Sequence, residues 1–478
     1  MIKLALAGLV FIIIIFALII IIRNKPDLWF WIFLNLYFDP GGYVYGFLGG
    51  TLLGPLAITD VFIAGMIISL LSAKINWNEI FQDKLLRRFL FSLSIFALYY
   101  FIIYGGVVPY IHKDFDYLTF LIKNRVFAYS FIILISVYAF SLRSLYYFYT
   151  TTLTVGAICL TLYLITLISG VNLIPVEEMA RYTGDEMMRV SMVGYGIFYL
   201  IFPLALITYL LSRKFNVILN YKSWLFYSGI VMIITMLITL TRRTQIDIIG
   251  TAIIIITIIS VLFRTGKLTG ILRLIVPGLL VIIVLSFILP KYIGYIADIG
   301  EDTFLLITTG RDSRGESDQR VSGSGDYELV KKYIENNLFF GSGYTYLFWK
   351  DGRANSARGK EFAVVRDAAG EVPIYLLFFD FGITGVFLIF PLYIIMIILF
   401  FKLIKILKVT WFNYIKDPLN IIFSIYVLLM ISQNFTINFY KLGSDFSAPQ
   451  IGSTMIFMGV GFALLRKFYS DNFLESFS

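Results

Sequence analysis

The sequence predicts an all-α polytopic integral membrane protein of 12 or 13 transmembrane helices, with one large external loop that contains a short helix. Three observations lead there. The 478 residues are 59% hydrophobic and only 14% charged, whereas a soluble domain is about half apolar and a quarter charged. Apolar runs near the ~20 residues needed to cross a bilayer recur along the chain. One stretch, Lys291 to Glu371, is by contrast long and polar, too polar for lipid and too long for a simple turn.

The formal charge of +9 does not point to nucleic acid. Most of the surplus Lys and Arg falls in short loops between apolar runs, where basic residues set membrane orientation. The single cysteine, Cys159, lies inside an apolar run, so no internal disulfide can form.

In chain order, the first expected span is Ile2 to Ile22, too long for a signal-peptide core and without a small-residue cleavage site. Leu28 to Leu48 is interrupted by Asp39-Pro40-Gly41-Gly42 and reads either as a short span or as an aromatic-rich interfacial segment. This choice sets the total at 12 or 13. Thr51 to Leu71 follows, then a basic inner loop with Lys74, Lys84, Arg87 and Arg88.

Further spans are expected at Phe89 to Tyr104, Val126 to Phe140, Leu145 to Ser169, Val190 to Leu211 and Trp224 to Leu240. Arg242-Arg243 would occupy a tight outer turn before Ile246 to Phe263, and Leu274 to Leu289 leads into the long loop. Beyond it come Pro373 to Phe401, ending at Lys402, Lys405 and Lys408, then Leu419 to Phe435 and Ile451 to Leu465. The organisation is thus an N-terminal membrane bundle over 1–290, the loop over 291–371 and C-terminal helices over 372–478.

Each short loop assigned to the inside is basic. The long loop holds 11 Lys and Arg against 13 Asp and Glu, a net of −2, and is therefore placed outside. Within it, Tyr327, Val330, Ile334 and Leu338 share one helical face, predicting a helix over Asp326 to Phe340 with Asp326 as N-cap and Gly341-Ser342-Gly343 as the stop.

Several chemistries lack their residues. There is one histidine, His112, and no Cys/His cluster for a zinc site of the usual kind. No phosphate-binding glycine motif for nucleotides is present. What remains are arginines and carboxylates at the outer face. Arg242 and Arg243 either snorkel to headgroups or bind an anion, since guanidinium donates two parallel hydrogen bonds to phosphate. Arg243 and Asp247 are four apart, at pairing distance on one helical face. Arg311, Arg314 and Arg320 form a second group, interleaved with Asp312, Glu316 and Asp318. Asp380 lies inside an apolar run, and Glu371 stands where the loop returns to the membrane, placed to serve as a general base.

Four features resemble the superfamily of O-antigen polymerases and O-antigen ligases, bacterial envelope glycopolymer enzymes. They are LLGPLAITD before an early span, TRRT between two close spans, and Arg320 followed by a helix and Gly341-Ser342-Gly343. The fourth is EVPIYLLFFDFGITG, similar to the segment that in the ligases opens with a histidine. Here Glu371 stands at that histidine's place, and the interval from Arg320 to Gly341 is longer than usual, so the polymerase branch fits better than transfer to lipid A core.

The resemblance implies polymerisation of undecaprenyl-pyrophosphate-linked oligosaccharide repeats at the periplasmic face of the inner membrane. A second lipid-linked repeat would be the acceptor, and no metal or other cofactor is expected. Arg242, Arg243, Arg311 and Arg314 would hold the pyrophosphate, with Arg320 and Glu371 catalytic and Asp247, Asp380, Gly341 and Gly343 supporting. Partners besides donor, acceptor and membrane lipids would be a chain-length regulator and a flippase. A ligase, or a transporter of the same lipid-linked sugar, are the alternatives.

Overall fold

Asp83 starts one helix in a way that shows how the sequence sets its boundaries. Its Oδ1 accepts from the amides of Leu85 and Leu86 at 2.8 and 3.3 Å, and its carbonyl accepts from Arg87 at 2.9 Å. Amides that the first turn would leave orphaned are thereby satisfied. Proline plays the complementary part at Pro26, Pro373, Pro418 and Pro449, each the first residue of a helix, where its missing N–H costs nothing.

The computed structural model describes residues 12–13, 16–17, 20, 25–38, 51–53, 56–57, 77–107, 110, 133–134, 136–137, 142–169, 180–182, 188–190, 194–215, 229, 231, 242–263, 294, 297–298, 301, 304–305, 325–341, 373–414, 418–436 and 449–470. These are mostly helical. In order they form α1 (Pro26–Phe38), β1 (Thr51–Leu53), β2 (Leu56–Ala57), α2 (Trp77–Gln82), α3 (Lys84–Ile102), a π turn (Ile103–Val107) and α4 (Leu142–Ser169). Then come β3 (Ala180–Tyr182), β4 (Met188–Val190), α5 (Gly194–Phe215), α6 (Arg242–Phe263), α7 (Gly325–Asn336), α8 (Pro373–Tyr414), α9 (Pro418–Thr436) and α10 (Pro449–Ser470).

The described residues are almost entirely helical, as the all-α expectation has it, apart from two short antiparallel hairpins, β1 with β2 and β3 with β4. Thr51–Leu53 pairs with Leu56–Ala57 rather than opening a span, in keeping with the Gly54-Pro55 dipeptide in the sequence between them. Val190 pairs with Ala180, and the helix expected from it begins at Gly194. Lys84, Arg87 and Arg88 lie inside α3 rather than in a loop before it, and Arg242-Arg243 open α6 rather than forming a turn.

One helical stretch among the described residues, Phe381–Lys408 in α8, is long and apolar enough to cross a membrane. Of its most apolar window 39% is buried. Ile201–Leu211, Gly250–Leu262 and Met455–Arg466 are shorter apolar stretches. Ile2 to Ile22 and Val126 to Phe140 are described only at scattered positions and Trp224 to Leu240 at 229 and 231, while Leu274 to Leu289 lies outside the described residues.

The chain divides into two compact units. The first draws on Met1–Ser69, Ala139–Thr309 and Ile404–Leu429. In it, the Trp31 indole donates to Thr151 Oγ1 at 3.4 Å and its ring meets Tyr147 edge-on at 6.3 Å, joining α1 to α4. The Arg143 guanidinium donates to the Tyr147 hydroxyl at 3.3 Å, which raises its pKa further above the usual value, with Asp27 adding a smaller push. Between α4 and α5, Tyr149 and Thr208 share a buried 2.8 Å bond. Thr208 spends its proton on the Leu204 carbonyl at 2.7 Å, so Tyr149 is the donor. Gly156 admits the Ile201 side chain to the backbone of α4.

The second unit draws on Leu70–Tyr138, Gly310–Leu403 and Met430–Ser478. In it α10 is buried throughout Met455–Leu465. Phe462 packs on Phe89 of α3 at 5.8 Å, and Gly461 lets Ile431, Leu399 and Leu403 approach closely. Small residues at such crossings let helix backbones approach closely.

A helix break as candidate functional site

The described element nearest to chemistry is a break in α8, within the second unit. Its sequence, Phe378-Phe379-Asp380-Phe381-Gly382-Ile383-Thr384-Gly385, is apolar enough to continue as helix. Yet Gly382 adopts φ 61°, ψ −172°, a conformation that side-chain-bearing residues rarely hold. The helix becomes two halves, Pro373 to Phe381 and Ile383 to Tyr414. A break strands carbonyls at the end of one half and amides at the start of the next.

Each exposed group named here finds a partner from another element. The amides of Ile383 and Thr384 donate to the carbonyls of Leu338 and Phe339 at 2.8 and 3.1 Å. The Tyr99 hydroxyl, from α3, donates to the Phe381 carbonyl at 3.3 Å. The two accepting carbonyls, of Leu338 and Phe339, belong to the turn that ends α7. In that turn Asn337 N–H donates to Ile334 O at 3.2 Å, and Gly341 N–H donates to Asn337 O at 2.8 Å. Gly341 has φ 74°, the left-handed residue that commonly terminates a helix.

The partial negative end of α7 therefore meets the partial positive end of the second half of α8, a favourable alignment of helix dipoles. The contact is backbone to backbone. A Cβ on Gly382 would lie 2.6 Å from both the carbonyl carbon and oxygen of Phe339 and would collide with the Gly341 nitrogen. Side chains seal the joint: Val330 is fully buried, Tyr333 meets Phe379 at 6.0 Å, and Phe96 meets Phe381 edge-on at 5.5 Å.

The loop helix expected over Asp326 to Phe340 is thus present, but it begins at Gly325, not with Asp326 as its cap, and turns after Asn336. Of the expected face, Val330 is buried, Ile334 half-buried and Leu338 exposed, because Leu338 lies in the turn and contributes its carbonyl instead.

Gly341 occupies the turn itself, and Asp380 sits in the last helical turn before Gly382, so the structure brings these two segments together. Arg242 and Arg243 are the first residues of α6 in the first unit, with Asp247 one turn later on the same helix. Arg311, Arg314, Arg320, Gly343 and Glu371 lie outside the described residues. Sequence reasoning missed Gly382 and Tyr99. A glycine within an apolar helical run was the available signal for the first, and nothing local marks the second.

Comparison with protein-family models and with curated proteins finds no match to the chain.

Proposed function

We propose that this chain is a polytopic inner-membrane enzyme, with 12 or 13 spans, that polymerises undecaprenyl-pyrophosphate-linked oligosaccharide repeats at the periplasmic face. The observation that carries the reading is the joint at Gly382. Two of the four segments that resemble the O-antigen polymerase and ligase superfamily, the loop helix ending in Gly341-Ser342-Gly343 and FFDFGITG, are bonded backbone to backbone there. Non-helical backbone within an apolar helix is tolerated where protein encloses it, and such breaks commonly mark binding sites in membrane proteins.

In this reading the arginines supply the electrostatics. Arg242 and Arg243 fall in the first turn of α6, the end of a helix whose dipole favours an anion. A pyrophosphate bound there would be such an anion. As the glycosyl bond breaks, charge grows on the departing pyrophosphate, and arginines placed for it lower the barrier. Arg320 acts with these arginines on the leaving group, Glu371 takes the proton from the acceptor hydroxyl, and the loop helix covers the site over the growing chain. Asp380 is held beside the break as a supporting carboxylate.

The test is the envelope glycan profile of a deletion strain. Single repeats capped on the acceptor are expected for a polymerase. Full-length polymer accumulating on the lipid carrier would instead identify a ligase. Lipid-linked repeats confined to the inner leaflet would identify a transporter.

A further inference from the structure

The turn that docks on Gly382 also carries an apolar tip. Phe339 is 67% exposed, and its neighbours Leu338 and Phe340 are exposed too. Its backbone is nevertheless fixed, since the Phe339 carbonyl accepts from Thr384. Thr384 is the second residue of the helical half that begins at Ile383, at the start of the membrane-length stretch.

The exposed face of that stretch has a defined extent. Phe387, Phe390, Ile394, Ile397 and Phe401 are all exposed, recurring every three or four residues along one side of the helix. Directly beyond Phe401 the exposed positions become Lys402, Lys405 and Lys408. From Ile383 to Phe401 the helix runs ~27 Å, close to the ~30 Å hydrocarbon thickness of a bilayer. The lysines mark one boundary of that layer, and the pinned turn stands at the other.

We infer that Leu338 to Phe340 form a wedge seated in the outer bilayer interface, with lipid as its partner, so that the helix break holds the loop at headgroup depth. This rests on the membrane reading above and adds a contact that reading does not require. Aromatic side chains are favoured at that level. The α7 positions facing water, Lys331, Lys332 and Glu335, are exposed and charged, as expected for a helix above the interface.

The experiment uses the full-length protein with Cys159→Ala and one nitroxide-labelled cysteine, reconstituted in phosphatidylethanolamine and phosphatidylglycerol vesicles without polyprenyl carrier. Collisions with oxygen, which concentrates in lipid, are compared with those of a water-soluble nickel chelate. The expected result is an oxygen-to-nickel ratio at Phe339→Cys several-fold above that at Glu335→Cys and close to that at Phe387→Cys. If Phe387→Cys is lipid-like but Phe339→Cys is as nickel-accessible as Glu335→Cys, the wedge is overturned and the membrane reading survives. A nickel-accessible Phe387→Cys overturns both. Shielding of Phe339→Cys from both reagents means that protein, such as a second copy, covers the tip, and also overturns it. Should Phe339→Cys not be recovered folded, Leu338→Cys reads the same depth.

Discussion

The hydroxyl of Tyr99 donates to the backbone carbonyl of Phe381 at 3.3 Å, tying α3 to the first half of the broken helix. Tyr99→Phe keeps the ring and removes only this bond. The expected loss is ~0.5–1.5 kcal/mol, at the lower end because the distance is long for an O–H donor. Thermal unfolding in detergent measures it. Tyr149→Phe, which removes a buried 2.8 Å bond, should cost at least as much.

Gly382→Ala should be far more damaging. The new methyl meets backbone atoms of Phe339 and Gly341, which cannot rotate aside, and the positive φ alone strains an alanine by ~1–2 kcal/mol. Melting temperature should fall, and protease should cut the α7 turn sooner. Gly341→Ala, at φ 74°, also places a side chain in the left-handed region and should lower the melting temperature too. Gly106→Ala, where nothing lies within 4 Å of the added Cβ, should stay within ~0.5 kcal/mol of the parent.

The arginine reading predicts that Arg320→Ala abolishes polymer, and that at least one of Arg242→Ala and Arg243→Ala does the same, while membrane levels of protein stay normal. Lysine should restore little, since an ammonium cannot reproduce a two-point grip on phosphate. Polymer ladders on gels report the outcome, and near-normal ladders from all three alanine variants would remove the pyrophosphate site.

For Glu371 the informative change is Glu371→Gln, which keeps shape and removes basicity. Donor binding should persist while polymer is lost. Glu371→Asp withdraws the carboxylate by roughly one bond length, and a misplacement near 1 Å can cost ~100-fold in rate. Substantial activity in Glu371→Gln would reduce it to a boundary residue and turn attention to His112 and Asp380.

Helices set by local rules were legible from the sequence. Leu145 to Ser169 and Leu419 to Phe435 were readable as apolar runs, and the loop helix as a repeat of Val330 and Ile334 ended by glycine; their bounds moved by a few residues, as frayed ends do. The hairpin at Thr51 to Ala57 was hidden because apolar continuity outweighed the Gly54-Pro55 turn signal. The break at Gly382 was hidden for a different reason. Its φ is fixed by partners on α7 and α3, distant in sequence, and a glycine in an apolar run offers no local sign of which way it will turn. Glu371 and Arg320 were nominated from charge and resemblance, and backbone periodicity has no bearing on either.

The chain leaves the turn at Gly341 and comes back to the same point in space at Gly382. Such a segment has its ends tied, and the entropy of tying them grows only with the logarithm of its length, so doubling the intervening residues would cost ~0.6 kcal/mol. Insertions or deletions between Tyr344 and Gly370 therefore cost the joint little. The length of that stretch is thereby set apart from the stability of the joint, which rests on the bonds at Ile383 and Thr384.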